Sequence, residues 1–100
     1  MEILIFTRRS AMVTGIVLVN AKRSKLDSVV QSLIDIDGIT EVYTVAGEYD
    51  LVAMIRVKDN KQLADIVAKH MTRDVDGIKY TKTLISLDVN SKIDLAGIFG

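Results

Sequence analysis

The sequence predicts an α+β fold with strands and helices in the order βαββαβ, and two observations predict it. A motif recurs within the chain, and each copy carries one amphipathic helical stretch between runs of strand character. At 100 residues the chain is one domain's worth, and 49% hydrophobic with 26% charged residues is the composition of a folding globular chain. The repeat sets Asp35-Ile36-Asp37-Gly38-Ile39 against Asp74-Val75-Asp76-Gly77-Ile78, with Gly77 falling 39 residues after Gly38.

Upstream of the first motif, Val13, Ile16, Val17, Leu18 and Val19 read as a strand, and the pair Ile16 and Leu18 maps at the same offset onto Ile55 and Val57. The first helix follows, with apolar positions Leu26, Val29, Val30, Leu33 and Ile34. Its counterpart is Leu63, Ile66, Val67, His70 and Met71, with the spacing i, i+3, i+4, i+7, i+8 in both. Here the offset is 37 residues (Leu26 to Leu63), so about two extra residues separate helix from glycine in the second copy. The loop at Thr72-Arg73 is expected to absorb them.

After each Asp-Gly the chain turns to strand character, Thr40 to Val45 and Lys79 to Val89, and the glycine supplies the backbone freedom of the turn. A short connection, Ala46 to Asp50, joins the second strand to a third, Leu51 to Ile55, and reads as a hairpin. This is the ferredoxin-like split β-α-β pattern, a four-stranded antiparallel sheet with both helices on one face. The divisions are an N-terminal arm, 1–11, a domain, 12–90, and a C-terminal tail, 91–100.

A sheet covered on one face should alternate apolar and polar residues, yet the first and third strands do not. Either a second copy covers the free face, giving a sheet-to-sheet dimer (a dimeric α/β barrel), or the terminal arms fold back over it. A net charge of zero, from 13 basic and 13 acidic residues, gives no general attraction to nucleic acid or an anionic membrane. The central strands also lack the aromatic residues on which RNA bases stack.

The run Ile3-Leu4-Ile5-Phe6 is too short for a signal peptide's apolar region, and no stretch is long enough to span a bilayer, so a cytoplasmic location is expected. With no cysteine there is no thiolate chemistry or disulfide. His70, the one histidine, falls at the place of Leu33 on the core-facing stripe, which favours a structural role over metal binding. The pairs Asp35/Asp37 and Asp74/Asp76 flank helix ends before glycine, where aspartate makes local turn bonds. The six glycines are too dispersed for a phosphate loop, and neither catalytic residue, metal nor cofactor is expected. The hairpin Gly47-Glu48-Tyr49-Asp50 remains, a carboxylate and a phenol beside accessible backbone, suited to orienting a small polar ligand or simply to closing a turn.

The stretch Val42 to Val52, with its Val-x-Gly-x-Tyr-Asp core, and the later Asp76-Gly77-Ile78-Lys79-Tyr80-Thr81-Lys82-Thr83-Leu84 resemble the effector (RAM) domain of the Lrp/AsnC, or feast/famine, transcription regulators. The resemblance covers Thr14 to Val89. It implies an amino-acid-binding regulatory module, a homo-oligomer of dimers assembling into larger rings such as octamers or decamers, with no room for the family's helix-turn-helix. Co-assembly with full-length regulators is the implied link to transcription. It also implies a ligand near the hairpin, with Asp50 on the α-ammonium group, Ala46 and Gly47 offering backbone, Glu48 and Tyr49 shaping the pocket, and Thr81 and Thr83 supplying hydroxyls from a neighbouring subunit. Two alternatives share the topology: a dimeric α+β barrel enzyme using His70, and an ACT-like domain with its ligand at Asn20 to Ser24.

Overall fold

The structure, a computed structural model, describes residues 12–90, so the N-terminal arm and C-terminal tail lie outside the described residues. Strand β1 (Val13–Ala21) leads through a 3-10 turn, Arg23–Lys25, into helix α1 (Leu26–Ile34). Strands β2 (Ile39–Thr44) and β3 (Leu51–Val57) follow, then helix α2 (Asn60–Asp65), which continues as a π-helix over Ile66–Met71, and strand β4 (Ile78–Ile85). The sheet has the order β2-β3-β1-β4 with every pairing antiparallel, the ferredoxin-like arrangement.

Alternation along the strands divides the sheet into two faces. Val17, Val19, Leu51, Ala53 and Ile55 are fully buried and pack with Val29 and Leu33 of α1 and with Leu63, Ile66 and Met71 of the second helix. Close packing is visible at Gly15, where a Cβ would stand 2.6 Å from Leu63 Cδ1. The start of α2 is fixed by a reciprocal cap: the Asp59 carboxylate accepts from the Gln62 N–H (2.8 Å) and the Gln62 side chain accepts from the Lys58 N–H (2.9 Å).

The second helix differs from the sequence expectation. Its last turn widens, with the Thr72 N–H donating to the Val67 carbonyl five residues back at 3.2 Å, so one added residue is taken up inside the helix and not only in the loop. That single step rotates the stripe. Met71 is fully buried, whereas His70 is exposed, with Nδ1 3.4 Å from Asp74 Oδ2. The expectation that His70 faces the core is therefore corrected. The turn aspartates are also used differently, since Asp76 pairs with Lys25 from the start of α1 rather than only within its own turn. Strand β4 ends at Ile85, not Val89, because β1, its partner, begins at Val13 and the last bond runs from the Ser86 N–H to the Thr14 carbonyl (2.9 Å).

Register defines the uncovered face as two parallel rows: Tyr43, Val52, Leu18 and Lys82, then Glu41, Met54, Ile16 and Leu84. Ile16, Leu18, Val52 and Met54 form an apolar centre that the chain's own helices leave half-exposed. One end of this face is polar: Arg56 donates to Glu41 and to Thr40 Oγ1, and the Tyr43 hydroxyl donates to Glu41 Oε2 at 2.8 Å. The guanidinium first and the phenol second hold the Glu41 carboxyl below the usual carboxylate range. A lowered folded-state value contributes stability above the unfolded-state value and loses it as the pH falls. Acid titration of folding should therefore show wild type more stable than Glu41→Gln at neutral pH, with the two curves merging on the acid side of the carboxylate range.

Candidate functional site

The hairpin between β2 and β3 is organised by contacts that reach far along the chain. The Val45 N–H donates to the Asp50 carbonyl (3.0 Å) across the loop mouth, and the Asp50 N–H donates to the Val19 carbonyl (2.9 Å). The β1–β3 ladder ends at the pair Val19 and Leu51, so the Ala21 amide lies beyond it. Asp50 Oδ2 accepts that amide at 2.9 Å, taking the place of a strand carbonyl. Nearby, Asn20 Nδ2 donates to the Glu48 carbonyl at 2.8 Å. Tyr49 stacks on Tyr80 of β4, ring centroids 6.5 Å apart and planes 21° from parallel.

The loop tip is open. Ala46, Gly47 and Glu48 are exposed, while Tyr49 and Asp50 are half-buried. Gly47 has φ of +137°, and a Cβ there would meet nothing within 4 Å. The arrangement thus presents free backbone beside a carboxylate whose one oxygen is anchored and whose direction is fixed. Such a group can receive a cationic or N–H-bearing ligand without losing its orientation. In Asp50→Ala the half-buried Ala21 amide loses its acceptor, and a loss of about 1–2 kcal/mol in denaturant unfolding is expected. Asp50→Asn, which keeps an acceptor oxygen, should lose less.

Of the residues expected from sequence, the structure brings Ala46 to Asp50 together at one end of the sheet. Thr81 and Thr83 are placed elsewhere: they pair with Val19 and Val17, on the helix side of edge strand β4, with β1 between them and the hairpin. Sequence reasoning gave no part in the hairpin to two further residues: Asn20, which it named only in the ACT-like alternative, and Tyr80, which it quoted only within the resemblance motif. They are directly opposed across the β1–β4 pair, and both reach the hairpin. No periodicity marks them, since each acts on a residue distant in sequence.

A second concavity lies at the opposite end of the sheet, a shallow cleft of about 770 Å³ lined by the Asp35 to Gly38 turn, the end of β3 and one side of the second helix. His70 is on its rim and Met12, where the described chain begins, forms part of its wall. Among the described residues no cluster of histidine and acidic side chains could hold a metal ion.

The fold is that of a ferredoxin-like α+β domain, and the family model for the Lrp/AsnC ligand binding domain matches residues 14–92. The chain belongs to the Lrp/AsnC family. It is 30% identical over 80 residues to the HTH-type transcriptional regulator FL11 of Pyrococcus furiosus, the match covering 80% of this chain and 52% of FL11. The chain thus spans about half the length of the curated relatives it matches. Among solved structures it is similar to TTHA0845 of Thermus thermophilus, with a TM-score of 0.74 and 29% identity over 80% of this chain and 99% of that one. It shares its fold with the feast or famine regulatory protein of Mycobacterium tuberculosis complexed with L-methionine, at a TM-score of 0.69 and 22% identity over 88% and 59% of the two chains.

Proposed function

We propose that this chain is a non-catalytic, homo-oligomeric sensor that binds a free amino acid at the Ala46 to Asp50 hairpin and passes the signal to transcription through assembly. The observation that carries this reading is the anchored Asp50 carboxylate beside the open backbone of Ala46 and Gly47. A carboxylate matches an α-ammonium group, and backbone N–H groups match an α-carboxylate. Glu48 and Tyr49 flank the ligand. Thr81 and Thr83, set apart from the hairpin within one chain, serve a pocket that a neighbouring subunit completes. The L-methionine held by the M. tuberculosis relative supports the amino-acid class, and the particular side chain is set by the assembled pocket.

Assembly starts at the uncovered sheet face, where Ile16, Leu18, Val52 and Met54 meet their counterparts in a second copy. Dimers then join into larger rings of octamer or decamer size and co-assemble with DNA-binding members of the family. The chain makes no direct contact with nucleic acid or membrane, and it works in the cytoplasm.

The test is a melting-temperature screen of the chain against each free amino acid, with molar mass followed by light scattering. A ligand at 100 times its Kd adds about 2.7 kcal/mol of stability, which raises the melting temperature by several degrees in a domain of this size. One or a few amino acids should do so with wild type and fail with Asp50→Ala. If none stabilises wild type, amino-acid sensing is wrong; if Asp50→Ala responds equally, the site is elsewhere.

A further inference from the structure

Beside the anchored carboxylate of the hairpin lies an aromatic platform, the stacked rings of Tyr49 and Tyr80. We infer that this platform sets the side-chain class of the ligand: the amino acid held by Asp50 is aromatic, with its ring laid against the tyrosine stack. The inference rests on the hairpin reading above and deepens it.

Strand β4 is polar around Tyr80, in the run Lys79-Tyr80-Thr81-Lys82-Thr83, and the helix-packed core does not need a ring there. Tyr80 is 57% exposed on an edge strand and stands directly opposite Asn20. Alternation puts this pair one row beyond Leu18 and Lys82, on the face that the helices leave free. The hairpin folds toward the same place. Asn20 Nδ2 donates to the Glu48 carbonyl at 2.8 Å, and the half-buried Tyr49 lies nearly parallel to Tyr80. One ring is thus fixed within the hairpin, and the other is held against it with more than half its surface open.

The platform is within reach of the charge that would hold a ligand. Asp50 follows Tyr49 in the chain, and its Oδ2 is 2.9 Å from the amide of Ala21, the residue after Asn20. Opposed residues on paired strands have Cα atoms about 5 Å apart, which puts the carboxylate within about 10 Å of the Tyr80 backbone. An aromatic amino acid bridges that span, with its ammonium group on Asp50 and its ring on the platform, and alanine does not. Stacked rings gain attraction beyond the area they bury. Lys79 and Lys82, on either side of Tyr80 in β4, oppose a cationic side chain. The stack sets the class, and the neighbouring subunit selects within it.

The chain has no tryptophan, so L-tryptophan excited at the red edge of its absorption, where tyrosine is silent, reports its own binding. Titrating the full chain into L-tryptophan should raise the emission anisotropy, and L-phenylalanine should compete. L-Alanine, L-lysine, L-glutamate and L-methionine should compete about tenfold more weakly. Tyr80→Ala, with unchanged circular dichroism, should weaken L-tryptophan binding about tenfold and leave L-alanine unaffected, and Tyr80→Phe should restore it. If any of the four other amino acids binds as well as L-phenylalanine, the aromatic class is wrong while the hairpin stands as the site. A Tyr80→Ala variant that weakens every amino acid alike would make the ring a brace for the hairpin and overturn the inference. So would one whose mass by light scattering differs from wild type, which would assign the ring to a subunit interface. If no amino acid binds wild type, the hairpin reading falls and takes this inference with it.

Discussion

Replacing Gly38 by alanine is expected to destabilise the domain by about 2–4 kcal/mol, while the same change at Gly47 should cost about 1 kcal/mol. Both glycines have positive φ, +99° at Gly38 and +137° at Gly47, so the conformational cost of adding a Cβ is shared. The difference is packing. At Gly38 the new atom would lie 2.6 Å from Ile66 Cδ1 and 3.0 Å from Val57 Cγ1, two buried side chains with little room to yield, whereas at Gly47 it meets nothing. Gly77, the repeat partner of Gly38, is under the same constraint, with φ of +104° and Lys25 Cβ and Val29 Cγ2 at 2.9 and 3.0 Å. Urea unfolding of the three alanine variants separates the two costs. Equal losses at Gly38 and Gly47 would mean that Ile66 moves aside and packing does not fix the turn.

In the proposed sheet-to-sheet dimer, Leu18→Glu is expected to convert the protein to monomers. Leu18 stands between Val52 and Lys82 in the middle of the uncovered face and is not part of the buried core, so its replacement leaves the fold intact. In a face-to-face dimer the same position is enclosed by the partner, and two-fold symmetry places two carboxylates in the apolar centre. Desolvating charges there costs several kcal/mol, and about 4 kcal/mol already weakens association roughly a thousandfold. Lys82→Glu, at the rim of the same row, should have a far smaller effect. Light scattering over a dilution series measures both. A Leu18→Glu variant that keeps the wild-type mass would show that the face is not the interface, and a monomeric wild type would remove the dimer altogether.

The limits of sequence reading are clearest at His70 and Asp50. The periodicity that placed His70 beside Leu33 assumes one helical pitch throughout, and a single i to i+5 turn shifts every later residue by one position. Met71 wins the core site because a thioether is buried at no polar cost, while an imidazole would need a partner there. At Asp50, the hairpin is visible from Gly47 and the flanking strands, but the bond that fixes its carboxylate comes from Ala21, 29 residues earlier.

What the sequence determined by itself is the βαββαβ order, the two glycine turns and a sheet face that is apolar on the side away from its helices, because each is written in local spacing and in a motif stated twice. The tertiary structure alone decided which residue of the second helix enters the core, that Asn20 and Tyr80 support the hairpin, that Thr81 and Thr83 stand apart from it, and that a cleft opens beside Met12. Those outcomes depend on strand register and on a one-residue slip in a helix. Both are settled by contacts between distant segments, and no local pattern encodes them.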